Sequence, residues 1–227
     1  MQEKRKYLEG TLSLLKDSQK EKKKYFIYIL GRKFVVYPNV FSPKYFKDSE
    51  FFAKEVPIID GEDVLEIGSG TGIISVFTKI KGARKVVALD INPNAVKNTK
   101  ENAKINKVKV DVRESDVYSA LKEGEKFDTI FWNTPFAFTN KKKVSVLEKS
   151  VADPGYKTTA KFIKEAKDCL KKNGRLLIGF SSTLGHINLL KSLLNRYKYR
   201  IKLIKQIKSK EVYPVKFEIF EAKLKKK

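Results

Sequence analysis

The chain has 227 residues, 41% of them hydrophobic, and a formal net charge of +23. This length predicts one substantial core, and no apolar run approaches the roughly 18 residues that a membrane-spanning helix needs. Residues 1–20 are too charged for a signal peptide, so we expect a cytoplasmic protein. The single Cys169 excludes an internal disulfide and a cysteine metal cluster, and no set of residues predicts a metal site.

The N-terminal part predicts a helix, a hairpin and a second helix. Leucines at helical spacing predict an amphipathic helix over residues 7–20, which can pack on the body or on a partner. Residues 25–37 predict two short strands, and Gly31 followed by Arg32 predicts a type II′ turn between them. We expect this hairpin to be either a structural flap or a substrate clamp. The next helix is predicted near residues 49–55.

A glycine-rich turn follows the first strand of the main sheet. The strand 63–67 is followed by a helix predicted over residues 73–81, and between them stand Gly68, Ser69, Gly70, Thr71 and Gly72. Glycines let the backbone approach a ligand closely, and the first N–H groups of the helix then face that ligand. The fingerprint of dinucleotide-binding folds has its third glycine one residue later, where this chain has Ile73. The spacing therefore disfavours a dehydrogenase.

Two acidic residues at strand ends strengthen the prediction of a nucleoside site. Strand 85–90 ends in Asp90, followed by Ile91, and a carboxylate there can accept hydrogen bonds from both hydroxyls of a ribose. Glu66, just before the glycine turn, is placed to face the amino end of a methionine-like ligand. The alternative for both carboxylates is a role in helix capping or in a solvated loop.

A third acidic residue follows the next helix and strand, predicted at 94–105 and 108–112. Asp116 and Val117 come directly after this strand, where Asp116 is placed to meet an adenine amino group. The alternative is that Asp116 caps the helix that follows.

The strand 127–132 ends in a motif that predicts the chemistry. Its sequence is Asn133-Thr134-Pro135-Phe136. It resembles the Asn-Pro-Pro-Tyr/Phe motif of methyltransferases that act on exocyclic amino groups or side-chain amides. The resemblance implies that the Asn133 side-chain oxygen and the Thr134 carbonyl accept hydrogen bonds from the target nitrogen, while Phe136 stacks on the planar target. It also implies that Asn133 contacts the cofactor. Threonine replaces the usual proline at Thr134, which predicts a less rigid loop. The alternative is an ordinary exit from a strand with a buried aromatic residue.

The rest of the chain completes the predicted sheet. Residues 134–156 predict a long polar loop beside the active site. The elements after it are predicted as a helix at 158–172 with a C-cap at Asn173-Gly174, a strand at 175–180, a helix at 186–196 and antiparallel strands at 199–207 and 212–223. The alternation predicts an α/β fold with a seven-stranded sheet and helices on both faces.

Taken together, the glycine turn, Asp90 and the asparagine motif resemble the class I S-adenosylmethionine-dependent methyltransferases of the HemK-like, or small, group. The resemblance implies a Rossmann-like, doubly wound sheet, S-adenosylmethionine as the cofactor, and an N-methyltransferase that needs neither a metal nor an acid–base dyad. We expect a catalytic domain at 49–227 and an extension of helix and hairpin at 1–48.

The hairpin at 25–37 and the segment after it, as far as Asp48-Ser49-Glu50, resemble the corresponding part of the HemK family, which methylates a glutamine side chain of peptide release factors. Two departures are visible. The sequence shows no counterpart of the separate N-terminal helical domain of that family, and the segment 43–50 is longer than the compact Pro-Arg-Pro-Glu-Thr run of the family.

The basic charge lies outside the predicted cofactor-binding half. Residues 34–140 carry 15 basic and 15 acidic side chains, so the excess is in the flanks, including residues 141–143 directly after the motif. Such a surface attracts RNA or a ribosome-bound factor, although lysine-rich helices are often only solvated faces. Three hypotheses follow, in order of preference: methylation of a glutamine amide in a translation protein, methylation of an exocyclic amine of an rRNA or tRNA base, and a cofactor-binding RNA module without turnover.

Overall fold

The computed structural model describes residues 2–209 and 215–225. Its helices are α1 (Gln2–Ser18), α2 (Asp48–Glu55), α3 (Ile73–Ile80), α4 (Pro93–Ile105), α5 (Lys157–Cys169) and α6 (Ile187–Arg196). Its strands are β1 (Tyr25–Ile29), β2 (Arg32–Val36), β3 (Asp63–Ile67), β4 (Lys85–Asp90), β5 (Asp111–Glu114), β6 (Phe127–Asn133), β7 (Ala137–Thr139), β8 (Ala152–Pro154), β9 (Leu170–Phe180), β10 (Tyr199–Lys208) and β11 (Lys216–Leu224).

Seven strands form the central sheet in the order β10-β11-β9-β6-β3-β4-β5. The strands from β9 to β5 in that order run parallel, while β11 runs antiparallel to both β9 and β10. The predicted α/β fold with a seven-stranded sheet is confirmed. All five residues of β3 are buried, as expected of a parallel strand that is covered on both faces.

Apolar side chains from helices cover the two faces of the sheet. On one face, Phe162 of α5 and Leu190 of α6 pack into the larger core. On the other face, Phe52 of α2 and Val76 of α3 pack into the second core. Because both faces are covered, a ligand can reach the sheet only at the ends of its strands.

The direction of strand addition reverses between β3 and β6. From β3 the chain proceeds to β4 and β5, and then it crosses to the other side of β3 to form β6. The register pairs Ile67, the last residue of β3, with Trp132 of β6. Gly68 and Asn133, which follow them in the chain, therefore lie side by side. Open α/β sheets form their ligand crevice at such a switch point.

Helix α1 packs on the body, against the segment that follows β6. Three of its leucines lie against small apolar residues of that segment; the cluster contains Leu8, Leu12, Leu15, Ala137, Val151 and Ala152. The prediction of a loop over 134–156 is wrong in part, because β7 and β8 pair in parallel within it. Burial under α1 stabilises regular structure here, and nothing in the local sequence pattern shows that burial.

Several predicted bounds are wrong: α1 begins at Gln2 and ends at Ser18, and β9 begins at Leu170. The strand predicted at 108–112 is β5 at Asp111–Glu114, because the Val108 N–H still donates to Ala103 O at the end of α4. The helix predicted to reach residue 172 ends at Cys169, where Leu170 turns to extended geometry and pairs with Phe127. A C-cap at Asn173-Gly174 is therefore wrong. The positive φ of Asn173, 67°, serves an irregularity inside β9 instead.

The hairpin turn differs from the predicted one by one residue. Ile29 pairs with Arg32, so the two loop residues are Leu30 and Gly31, with φ angles of 47° and 76°. Positive φ at both loop residues is the geometry of a type I′ turn, in which glycine is commonly the second residue. The prediction of a type II′ turn that begins with glycine is wrong.

The C-terminal strand pair forms as predicted, with β11 beginning at Lys216. Residues 212–214 of the predicted strand, and the last two lysines of the chain, lie outside the described residues. Among the helices that the structure describes, none is long and apolar enough to cross a membrane.

Candidate active site

Two cavities meet at the carboxyl ends of β3, β4 and β6. The first cavity has a volume of about 160 Å³ and lies over the glycine turn. The second cavity, of about 730 Å³, lies between α1, the residues before α2 and the start of β11. Asn133 lines both cavities, as do Phe41 and Ser150. The asparagine of the sequence motif is therefore at the boundary between two binding spaces.

The glycine turn needs glycine at all three of its positions. Gly68, Gly70 and Gly72 have φ angles of 66°, 54° and 77°, in the left-handed region that side chains disfavour. A Cβ on Gly68 would lie 2.9 Å from the Trp132 ring, and one on Gly72 would lie 2.7 Å from Thr99. A Cβ on Gly70 would have no atom of the described residues within 4 Å. The turn is thus closely packed on two sides and open above Gly70.

The predicted residues of this turn are divided between the cavity and the helix. Gly68, Ser69, Gly70 and Thr71 line the first cavity. Gly72 does not, because it stands at the N-cap of α3. The turn as a whole presents backbone to the cavity at the N-terminus of a helix, which is a favourable place for polar or anionic groups.

Asp90 holds the glycine turn in place. One oxygen of its carboxylate accepts the Gly70 N–H at 2.8 Å, and the other accepts the Asn92 N–H, also at 2.8 Å. A carboxylate can accept about four hydrogen bonds, so both oxygens retain capacity for a ligand. Burial raises the pKa of Asp90, and the backbone donors oppose this rise. Asp90 and Ile91 both line the first cavity.

Glu66 is buried at the inner wall of the first cavity. It accepts a hydrogen bond from the Ser75 hydroxyl of α3. Burial raises the pKa of Glu66 to about 8, and the nearby Asp90 contributes to the rise. At neutral pH the side chain is therefore mostly protonated, and a cation placed beside it would favour the ionised form.

Asp116 and Val117 line the first cavity at the end of β5. Asp116 is exposed, and its carboxylate lies 3.4 Å from the ammonium group of Lys161. The alternative of a helix N-cap is wrong, because the chain from Asp116 to Ala120 forms turns.

The motif after β6 is held by two sets of hydrogen bonds. Asn133 Nδ2 donates to Asp48 Oδ2 at 2.9 Å. Thr134 donates twice to Gly179 O, from its N–H at 3.1 Å and from Oγ1 at 2.8 Å. A proline at this position could make neither bond, so the threonine provides an anchor of its own to β9. Asn133 Oδ1 is buried and has no hydrogen-bond partner among the described residues.

The remaining motif residues face different sides of the boundary. Pro135 lines the first cavity, while Thr134 and Phe136 line the second. The Phe136 ring is partly exposed and lies 6.0 Å from the Phe180 ring and 6.2 Å from the Phe217 ring, measured between centroids. An aromatic wall therefore stands on the side of Asn133 away from the glycine turn.

Most of the second cavity was not predicted. Its walls include Tyr7 and Leu14 of α1, Tyr45 and Asp48 before and at the start of α2, and Val215 before β11. These residues are far apart in the chain and share no motif. The one signal in the sequence is Asp48, an acidic side chain among aromatic and basic residues of the segment that follows the hairpin.

The first cavity suits S-adenosylmethionine. The open space above Gly70 admits a ligand against the backbone, and the spare acceptor capacity of Asp90 suits the hydroxyls of a ribose. Glu66 offers a group that ionises beside a cation. When bound, this cofactor supplies an electrophilic methyl group on a sulfonium.

Comparison with known proteins agrees with this geometry. Residues 31–206 match the family model of the methyltransferase small domain. A protein of Methanocaldococcus jannaschii, whose name proposes protein N5-glutamine methyltransferase activity, is 40% identical over 174 residues, which are 74% of this chain and 86% of that protein.

Solved structures show the same fold at lower identity. A 16S rRNA N2 methyltransferase of T. thermophilus, in complex with AdoMet and guanosine, has a TM-score of 0.64 and 21% identity, covering 89% of this chain and 50% of that one. A ribosomal protein L11 methylase of Lactobacillus delbrueckii subsp. bulgaricus has a TM-score of 0.55 and 16% identity, covering 81% and 82% of the two chains. The chain thus belongs to the methyltransferase small domain family and is an S-adenosylmethionine-dependent methyltransferase.

Proposed function

We propose that the enzyme methylates a planar amide or amino nitrogen of a macromolecule of the translation apparatus, with a protein glutamine side chain as the favoured target. The observation that supports this proposal most strongly is the position of Asn133. It stands between the two cavities, and its Oδ1 is buried without a partner in the part of the chain that the structure describes. In our proposal an N–H donor of a target in the second cavity bonds to this acceptor, and a hydrogen bond at a buried acceptor is more favourable than leaving that acceptor unpaired.

The main contribution of the protein to the reaction is to orient the target nitrogen. The lone pair of an amide or ring-bound amine is delocalised, and two hydrogen bonds that hold its N–H groups aim the nitrogen at the methyl carbon. In our proposal Asn133 Oδ1 and the Thr134 carbonyl accept these bonds, Pro135 shapes the passage, and Phe136 packs on the plane of the target. Transfer forms a C–N bond and breaks the S–C bond, whose electron pair stays on the sulfur of S-adenosylhomocysteine, and the proton displaced from the nitrogen passes to solvent water. Orientation of this kind can supply about 7–11 kcal/mol of the barrier.

The first cavity holds the cofactor in this proposal. Asp90 and Ile91 bind the ribose, Glu66 faces the amino end of the methionine part, and Asp116 with Val117 meets the adenine. Gly68, Ser69, Gly70 and Thr71 provide the backbone surface against which the cofactor lies, and Gly72 starts the helix behind it.

Two observations favour different targets. The relative that covers most of this chain carries a name that proposes glutamine methylation, and this supports a protein target. The basic flanks and the aromatic wall with Phe136 support an RNA base, which stacks on such rings with about 1–3 kcal/mol per base. Family membership favours turnover over the non-catalytic RNA module. The proposal also includes a cytoplasmic location. It further divides the chain into an extension at 1–48 and a catalytic domain at 49–227.

The test is transfer of label from methyl-labelled S-adenosylmethionine to a cell extract enriched in ribosomes and translation factors. One half of the extract is treated with ribonuclease before the reaction, and the products are hydrolysed to amino acids and nucleosides. Labelled N5-methylglutamine that survives ribonuclease supports the protein target. Label that appears in a methylated base and is lost after ribonuclease would overturn the glutamine proposal and favour the RNA alternative.

The matched control for this test is a pair of asparagine variants. Asn133→Ala removes the proposed acceptor, whereas Asn140→Ala changes an exposed asparagine seven residues later. We expect label to disappear only with the first variant. Equal labelling by both variants would contradict the role given to Asn133, whichever macromolecule carries the label.

A further inference from the structure

Asp48 is a buried carboxylate in the wall of the second cavity. It is the first residue of α2, and only 3% of its surface is exposed. Burial of a carboxylate is unfavourable unless a partner compensates. The side-chain partner that the structure gives it is Asn133, through the bond from Nδ2 to Oδ2, and its second oxygen has no hydrogen-bond partner among the described residues. A buried acid is thus kept in contact with the proposed catalytic asparagine.

The charge of Asp48 decides how the Asn133 amide is turned. An ionised carboxylate has acceptors only, so it must face the NH₂ end of the amide and not the oxygen end. The oxygen end, Oδ1, is then the part of the amide that Asp48 leaves unpaired, beside Gly179, where a Cβ would lie 3.0 Å from it. The missing side chain of Gly179 thus leaves room for this orientation.

We propose that Asp48 is a positioning residue for methyl transfer, which fixes the Asn133 amide with Nδ2 toward α2 and keeps Oδ1 for the N–H group of the target. This inference rests on the proposed function, because it assumes that Asn133 receives the target nitrogen. Asp48 acts through Asn133 and does not itself touch the reacting atoms.

The inference gives the reaction a dependence on pH. Burial raises the pKa of Asp48 to about 6, against the opposing effects of the Asn133 amide and of the backbone at Asp48 and Ser49. The other titratable side chains of the cavity wall are Lys6, Tyr7, Tyr45 and Lys47. Above this pH the ionised carboxylate accepts from Nδ2. Below it the protonated acid gains an O–H donor that can bond to Oδ1, and an amide turned in this way no longer offers that oxygen to the target.

The test compares Asp48→Ala and Asp48→Asn with wild type, and uses Glu50→Gln, an exposed acid of the same helix, as the matched control. The readouts are the initial rate of label transfer to the ribosome-enriched extract between pH 5 and pH 9, and the affinity for S-adenosylmethionine. We expect Asp48→Ala to lower the rate by about 10- to 100-fold at pH 8, as for loss of a bond to a charged partner. The cofactor affinity should stay within about twofold of wild type.

Asp48→Asn separates positioning from a merely structural role. An asparagine at this place can hold the Asn133 amide in either orientation, so we expect a smaller loss of rate and no acid limb near pH 6. Glu50→Gln should keep both the rate and the limb. A wild-type rate and a wild-type acid limb in both Asp48 variants would overturn the inference. Full activity of Asn133→Ala would instead overturn the proposed function, so the two failures are distinguishable.

A measurement on the wild-type protein needs no target and no stable variant. With ¹⁵N-labelled asparagine side chains, the Nδ2 resonance of Asn133 is identified by its loss in Asn133→Ala. We expect this resonance to shift with a midpoint near pH 6, and the other asparagine side chains distant from Asp48 not to share that midpoint. A resonance that does not move between pH 5 and pH 8 would contradict the coupling of Asp48 to Asn133.

Discussion

The two cavities differ in how the chain builds them. More than half of the residues that line the first belong to strand ends and turns between residues 66 and 117, and the rest are Phe41, Ser49 and residues between 132 and 158. The second is assembled from α1, the segment 41–48, the motif after β6 and the residues on either side of the 210–214 gap. A common cofactor can be held by a compact local motif, whereas a target site is formed by tertiary packing of distant segments. Most of the cofactor side can therefore be predicted from the sequence, whereas on the target side only the asparagine motif can.

The largest expected effect comes from a change at Asn133, which lies at the boundary between the two cavities. Asn133→Ala removes the proposed acceptor but leaves the glycine turn and Asp90 intact. We expect the rate of methyl transfer to fall by about 100- to 1,000-fold, as for loss of one preorganised hydrogen bond at a reacting group. Binding of S-adenosylmethionine, measured by calorimetry, should change little. A variant that loses cofactor binding as well would show that the two cavities are not separable at this residue.

A change inside the first cavity is expected to weaken the binding of S-adenosylmethionine. Asp90→Ala removes the acceptor for Gly70 N–H and the proposed partner of the ribose. We expect the affinity for S-adenosylmethionine to fall by about 10- to 100-fold. Asp60→Ala, at an exposed aspartate, is the control and should bind as wild type does. Unchanged affinity in Asp90→Ala would mean that the cofactor lies elsewhere.

Binding of the cofactor in the first cavity should release a proton from Glu66. The pKa of Glu66 is raised to about 8 by burial, so the carboxyl group is mostly protonated at pH 7. The ammonium group of the cofactor would lower that pKa, so binding at pH 7 should release roughly one proton, and binding at pH 9.5 almost none. Calorimetry in buffers of different ionisation enthalpy measures this number. Glu66→Gln should abolish the release, and heats that are equal in all buffers would contradict the placement of the ammonium group.

The same raised pKa predicts how stability changes with pH. Because the folded-state pKa of Glu66 lies above the ordinary value of 4.5, its contribution to the free energy of unfolding is present in full below about pH 4.5. That contribution is lost as the pH rises through about 8. Glu66→Gln should therefore remove part of the loss of stability between pH 6 and pH 9, which urea titrations at several pH values can measure.

The smallest expected effect concerns the anchor of the motif. Thr134→Val keeps the shape of the side chain and the N–H bond to Gly179 O but removes the bond from Oγ1. One such bond contributes about 1 kcal/mol, so we expect the melting temperature to fall by about 2–4 °C. A Thr134→Val protein that melts as wild type does would show that the N–H bond alone holds the motif to β9.

The sequence predicts the parts of this molecule that depend on residues close to one another in the chain. Glycines with positive φ at Gly68, Gly70 and Gly72, and an acid at the end of β4, leave a pattern in the residues themselves. The start of β5 and the end of α5 were misplaced, because hydrogen bonds beyond the helix end and pairing with Phe127 decide them. The sequence does not predict Asp48 as a site residue, because its contact with Asn133 joins positions 85 residues apart.

The most direct test of the account is a crystal structure of the protein with S-adenosylmethionine bound. We predict the ribose at Asp90, the methionine part beside Glu66, and the methyl group at the opening between the two cavities, next to Asn133. A methyl group that faces away from Asn133, or a cofactor bound in the second cavity, would contradict the claim that this asparagine joins a cofactor site to a target site.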